Sequence, residues 1–61
     1  MTATKKALYE SRVYHDQALY HNQHDDAASA ASEVEALAEG LNLKAATLWG
    51  SLDDLKAALE L

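Results

Sequence analysis

From Ala27 onward the apolar residues recur at helical intervals: Ala27, Ala30, Ala31, Val34, Leu37, Ala38 and Leu41. That i, i+3, i+4, i+7 spacing marks one face of a helix. Glu33, Glu35, Glu39, Ser29 and Ser32 fall off the stripe, where water can solvate them. A second stripe follows at Ala45, Leu48, Trp49, Leu52, Leu55 and Leu59, with Thr47, Ser51 and Asp54 on the opposite side. Between the two, Glu39-Gly40-Leu41-Asn42 reads as a turn. Gly40 suits the left-handed residue that ends a helix, Leu41 the apolar contact over the last turn, and Asn42 the N-cap of the next helix. So short a link makes the helices antiparallel neighbours. An alanine-rich stripe facing leucines and Trp49 lets them approach closely, with Trp49 filling the space between.

This hairpin is expected to organise the chain. Within it, Gly50 followed by Ser51-Leu52-Asp53-Asp54 resembles a capping box, which would split the last segment in two. The unbroken stripe through Leu48, Trp49, Leu52 and Leu55 favours one helix over 43–60.

The first third has no single stripe. Thr2 or Thr4 is placed to cap a helix, after which Tyr9, Val13 and Tyr20 share one face, Leu8 and Leu19 another, and Ala7, Tyr14 and Ala18 a third. A helix apolar in several directions is contacted from several directions. In a short chain that points to self-association or a bound partner, with Tyr9, Val13, Tyr14, Leu19 and Tyr20 as contact surface and Trp49 as a further anchor. The polar run His21-Asn22-Gln23-His24-Asp25-Asp26 favours a break, with Asp25 or Asp26 capping the next helix. The alternative is one long helix from about 4 to 39, dimerised as a bundle. The expectation is thus an all-α, three-helix single domain, with helices near 3–22, 26–40 and 43–60, built around the C-terminal hairpin and oligomeric or partner-bound.

Composition sharpens this. The chain has 61 residues, no cysteine, no proline and two glycines. Disulfides and thiolate zinc sites are excluded. A chain of this size buries only about 60% of its unfolded surface, so association is the cheapest added stabilisation. No apolar run approaches a membrane span and no leader segment is evident, making a cytoplasmic protein the default expectation.

The net charge of −5 is unevenly spread. Residues 1–22 set Lys5, Lys6 and Arg12 against Glu10 and Asp16. Residues 23–61 set only Lys44 and Lys56 against Asp25, Asp26, Glu33, Glu35, Glu39, Asp53, Asp54 and Glu60. An acidic surface repels phosphate backbones and attracts basic partners. Glu33, Glu35, Glu39, Asp53 and Asp54 are the candidate acidic contact residues.

Candidate chemistry is sparse. His21, His24 and Asp25 share a helical face at spacings a metal tolerates, but a solvated polar turn explains them equally, and no recognised ligand pattern is present. The Asp25-Asp26 and Asp53-Asp54 pairs sit where helix starts favour negative charge, which accounts for them without acid–base work. No phosphate loop is present. Neither enzymatic activity nor a cofactor or metal is expected.

The segment Leu37-Ala38-Glu39-Gly40-Leu41-Asn42-Leu43-Lys44-Ala45-Ala46-Thr47-Leu48-Trp49 resembles a helix-turn-helix unit, with Ala38, Asn42, Leu43, Thr47 and Leu48 at the matching positions. The resemblance implies a DNA-binding regulator using Lys44, Ala45, Thr47 and Trp49. Ser51 departs from it at a position usually apolar, and Lys44 is the segment's sole cation, so phosphate attraction is weak and nucleic acid is not the expected partner. The leading expectation is a small acidic, non-enzymatic protein–protein interaction module. It is of the kind phages use as inhibitors, covering a basic or apolar groove on a larger nucleic-acid-handling target. A structural homo-oligomeric bundle is the third possibility.

Overall fold

A computed structural model describes residues 4–61, and among these the structure is all-helical: α1 (Lys5–Tyr20), α2 (His24–Gly40), α3 (Ala45–Leu48) and α4 (Leu52–Leu59). Thr4 opens α1, its Oγ1 accepting the Ala7 N–H at 3.0 Å. Thr2 and Ala3, which the sequence also places at this start, lie outside the described residues.

The chain breaks between α1 and α2, so the long continuous helix is not formed. Neither Asp25 nor Asp26 is the cap. Gln23 occupies that position without a side-chain bond, and both aspartates lie in the first turn, where the helix dipole favours them.

α1 and α2 end in the same way. Asn22 adopts φ 59°, with Asn22 N–H donating to the Leu19 carbonyl and Gln23 N–H to that of Ala18. Asn42 also adopts φ 59°, with Asn42 N–H reaching Glu39 and Leu43 N–H reaching Ala38. These are Schellman caps built on asparagine. The expected roles of Gly40 and Asn42 are therefore corrected. Gly40 is the last residue of α2 and has no positive φ, while Asn42 takes the left-handed place and caps nothing ahead of it. Leu43, one residue after Asn42, stands at the position that closes such a cap, and both it and Leu41 pack against the core.

The third helix expected over 43–60 is two. Ser51 Oγ accepts the Asp54 N–H at 3.1 Å and starts α4, so the capping signal prevails over the continuous stripe. Separating the pieces lets α4 turn onto α1, and Leu8, Val34, Ala38, Leu48, Leu55 and Leu59 then form one buried cluster from all four helices. The dominant pairing also differs from expectation. α1 lies along α2 over most of its length, whereas α2 meets only the single turn of α3. The hairpin that organises the fold is N-terminal.

Part of α1's scattered apolar pattern is thus satisfied within the chain. α2 packs on one side of it and α4 on another, with Leu8 and Ala18 buried.

Candidate functional site

Two features stand out on this frame, a polar–aromatic junction and a groove. The junction surrounds Arg12, which is buried at 7% exposure. Its position one turn before Asp16 lets the guanidinium fork onto that carboxylate, Nε donating to Oδ1 at 3.0 Å and Nη2 to Oδ2 at 3.4 Å. Nη1 donates to the main-chain carbonyl of Leu48, the last residue of α3. His15 Nδ1 donates to the same Asp16 Oδ1 at 3.0 Å. Above them Trp49 packs edge-on to the His15 ring at 5.0 Å between centroids, and Arg12 Cζ lies 5.4 Å from the Trp49 ring centre.

Partial burial pushes the Asp16 carboxyl up. The hydrogen bonds and positive charge of Arg12 and His15 outweigh this and hold it below its ordinary 3.8. Each of the three guanidinium nitrogens of Arg12 donates to a protein acceptor, so the junction is a fastener between α1 and α3.

Trp49 does not fill the hairpin core as expected. It sits past the end of α3, 37% exposed, against α1. The irregular stretch Trp49-Gly50-Ser51 turns the indole out of the stripe that α4 resumes. Arg12 was missed by sequence reasoning. Its one available signal is that it is the only arginine, four residues before an aspartate.

The groove runs between α1 and α2 and encloses about 370 Å³. It is lined by Ala7, Glu10, Ser11 and Tyr14 from α1 and by Asp26, Ser29, Ala30 and Glu33 from α2. Each set follows the i, i+3, i+4, i+7 spacing of one helical face, so the two faces oppose each other across the hairpin. Ala7, Ser11, Ser29 and Ala30 are too small to fill the space between them, leaving a trough with carboxylates on its rim.

The candidate acidic residues are all exposed but do not form one face. Glu33 lines the groove. Helical geometry places Glu35 and Glu39, four residues apart, on the other flank of the buried Ala27–Ala30–Val34–Ala38 stripe. Asp53 and Asp54 lie in the first turn of α4.

The aromatic and apolar candidates are also dispersed. Tyr9 packs against the core and Val13 is half-buried. Tyr14 lines the groove. Leu19 and Tyr20 are exposed, the latter edge-on to His21.

Comparison with known protein families, with curated proteins and with solved structures returns no match for this chain. The segment resembling a helix-turn-helix carries a single four-residue turn, α3, where a recognition helix would lie, and Leu48 within it is buried. Among the described residues no three histidine or acidic side chains converge to hold a metal ion, the His21–His24–Asp25 run included. No helix among them is long and apolar enough to cross a membrane.

Proposed function

We propose that this chain is a non-enzymatic interaction module that docks on a basic surface of a larger protein, occupying it in place of nucleic acid. The observation that carries this reading is the distribution of charge after folding. The only arginine is withdrawn into the Asp16–Leu48 junction, while all the remaining carboxylates are exposed. Four lysines are left outside, and two of them, Lys5 and Lys6, face Glu60 and Glu10 at 3.7 and 4.0 Å. A surface of that sign repels phosphates and is attracted to the basic grooves that bind them.

The test is titration with polylysine and with duplex DNA at low and high salt. Salt-sensitive binding to polylysine, displacement of labelled DNA from it, and no binding to DNA alone are expected. Substituting Glu33, Glu35 and Glu39 together by glutamine should weaken the complex. Binding to DNA, or a triple variant that binds polylysine as well as the parent, discards the reading.

A second reading is favoured by one observation. Tyr14, Leu19, Tyr20, Trp49 and Leu61 remain at least a third exposed, which also suits a homo-oligomeric bundle. It calls for a salt-resistant oligomer in sedimentation equilibrium that dissociates when Leu19 is made charged. A concentration-independent monomer ends it.

A further inference from the structure

Resting on the reading of a basic protein partner, we infer that the α1–α2 groove is the specific part of the interface and receives an arginine side chain of that partner. Three properties of the groove select this occupant.

The first is size. About 370 Å³ lies at the small end of the ~300–1,000 Å³ typical of ligand pockets. That accommodates a long side chain and excludes the broad face of a helix.

The second is charge. Glu10, Asp26 and Glu33 bring carboxylates to the rim from both helices. Among the described residues Glu10 meets only the exposed Lys6 at 4.0 Å, and Asp26 and Glu33 meet no cation within ion-pair distance. The floor is largely apolar, with Ala30 at 5% exposure, and suits the methylene stem of a long cation.

The third is the aromatic wall. Tyr14, 52% exposed, stands beside these carboxylates. A guanidinium can lie against a ring while forking onto a carboxylate, whereas an ammonium is a compact point charge. The chain already holds one such arrangement, with Arg12 over Trp49 and forked onto Asp16. The groove repeats its ingredients, aromatic and carboxylates, without the arginine.

The experiment uses the full chain and three labelled peptides of one length, bearing arginine, lysine or citrulline at the same positions, followed by fluorescence anisotropy at low salt. Two charge-matched double variants are compared, Asp26→Asn with Glu33→Gln inside the groove and Glu35→Gln with Glu39→Gln outside it. The arginine peptide is expected to bind tightest and citrulline not at all. The groove pair should weaken arginine binding by about tenfold, as two partly screened charge contacts would, and the outside pair by less than about twofold. Tyr14→Leu, which keeps every charge, should bring the arginine peptide down to the level of the lysine peptide.

Circular dichroism is the check that each variant remains helical. If Asp26→Asn unfolds the chain, Glu33→Gln against Glu35→Gln makes the same comparison. Equal losses in the two double variants, or lysine binding as tightly as arginine, overturns the groove while leaving the basic-partner reading intact. Failure of the parent to bind any of the peptides or polylysine removes both.

Discussion

The guanidinium of Arg12 in α1 is hydrogen-bonded to the main-chain carbonyl of Leu48, 36 residues further on. Because Asp16 neutralises that guanidinium, the bond depends on both side chains. Asp16→Asn should cost about 1–3 kcal/mol, since it leaves a nearly buried charge without its counter-ion. Replacing Arg12 by methionine as well removes the stranded charge but also the donor to the Leu48 carbonyl, so the double variant should cost clearly less than the sum of the two single losses. Urea unfolding followed by Trp49 emission measures the parent, both single variants and the double, and additive losses would refute the assignment.

The same contact gives stability a dependence on pH. The folded-state pKa of Asp16 lies below its unfolded value, so the stabilisation is fully present above the ordinary 3.8 and is lost as pH falls through the lower folded value. Melting temperature should therefore drop in acid more steeply for the parent than for Asp16→Asn. Parallel acid profiles for the two proteins would contradict this.

At the α2 turn, glycine and asparagine stand in the opposite order to the usual one. Gly40 is helical and exposed, and Asn42 is left-handed. Gly40→Ala should stabilise by up to about 1 kcal/mol through helix propensity. Asn42→Gly should stabilise by a few tenths to about 1 kcal/mol by removing the Cβ from a positive-φ site. Were Gly40 the left-handed residue, Gly40→Ala would destabilise instead, so thermal melts of the two variants decide the cap.

Ser51 separates α3 from α4, and its hydroxyl bond to Asp54 N–H is the local reason. Ser51→Ala should cost about 1 kcal/mol, and Ser51→Asp, another good cap, should recover most of it. Thermal unfolding by circular dichroism distinguishes the two.

Leu55 is fully buried in the cluster shared by all four helices. Leu55→Ala should remove about 2–5 kcal/mol, a large part of the about 5–15 kcal/mol typical of a whole domain. The expected result is a chain largely unfolded at 37 °C, seen as lost amide dispersion in NMR spectra.

How much of this was legible depends on the element. The stripe through Ala27, Ala30, Val34 and Ala38 is buried as its spacing requires, because α2 packs with a single face. The split at Ser51 was also written in the chain, in the Ser-x-x-Asp cap. It was outweighed by a periodicity that a short irregular break does not erase, since Leu48 and Leu55 reach one core from two helices.

α1 was the least legible element. Its apolar residues answer to α2 on one side and α4 on another, and periodicity detects only one face at a time. Arg12 was hidden for a different reason. A charged residue in a helix is ordinarily solvated, and only the approach of Leu48 from a distant part of the chain makes burial favourable. The groove was invisible because it arises from what Ala7, Ser11, Ser29 and Ala30 fail to fill once two helices are paired.

The placement of Leu8 bears on the order in which the core closes. Leu8 stands in the first turn of α1, yet it shares its core with Leu55 and Leu59 of α4. Without α4, the α1–α2 pair lacks the two leucines that complete the cover of Leu8 and Val34. A pairing of α1 with α2 alone therefore leaves the core incomplete until α4 docks. The long-range closure of α4 onto α1, and not the quick local pairing of α1 with α2, should set the pace at which the native chain appears.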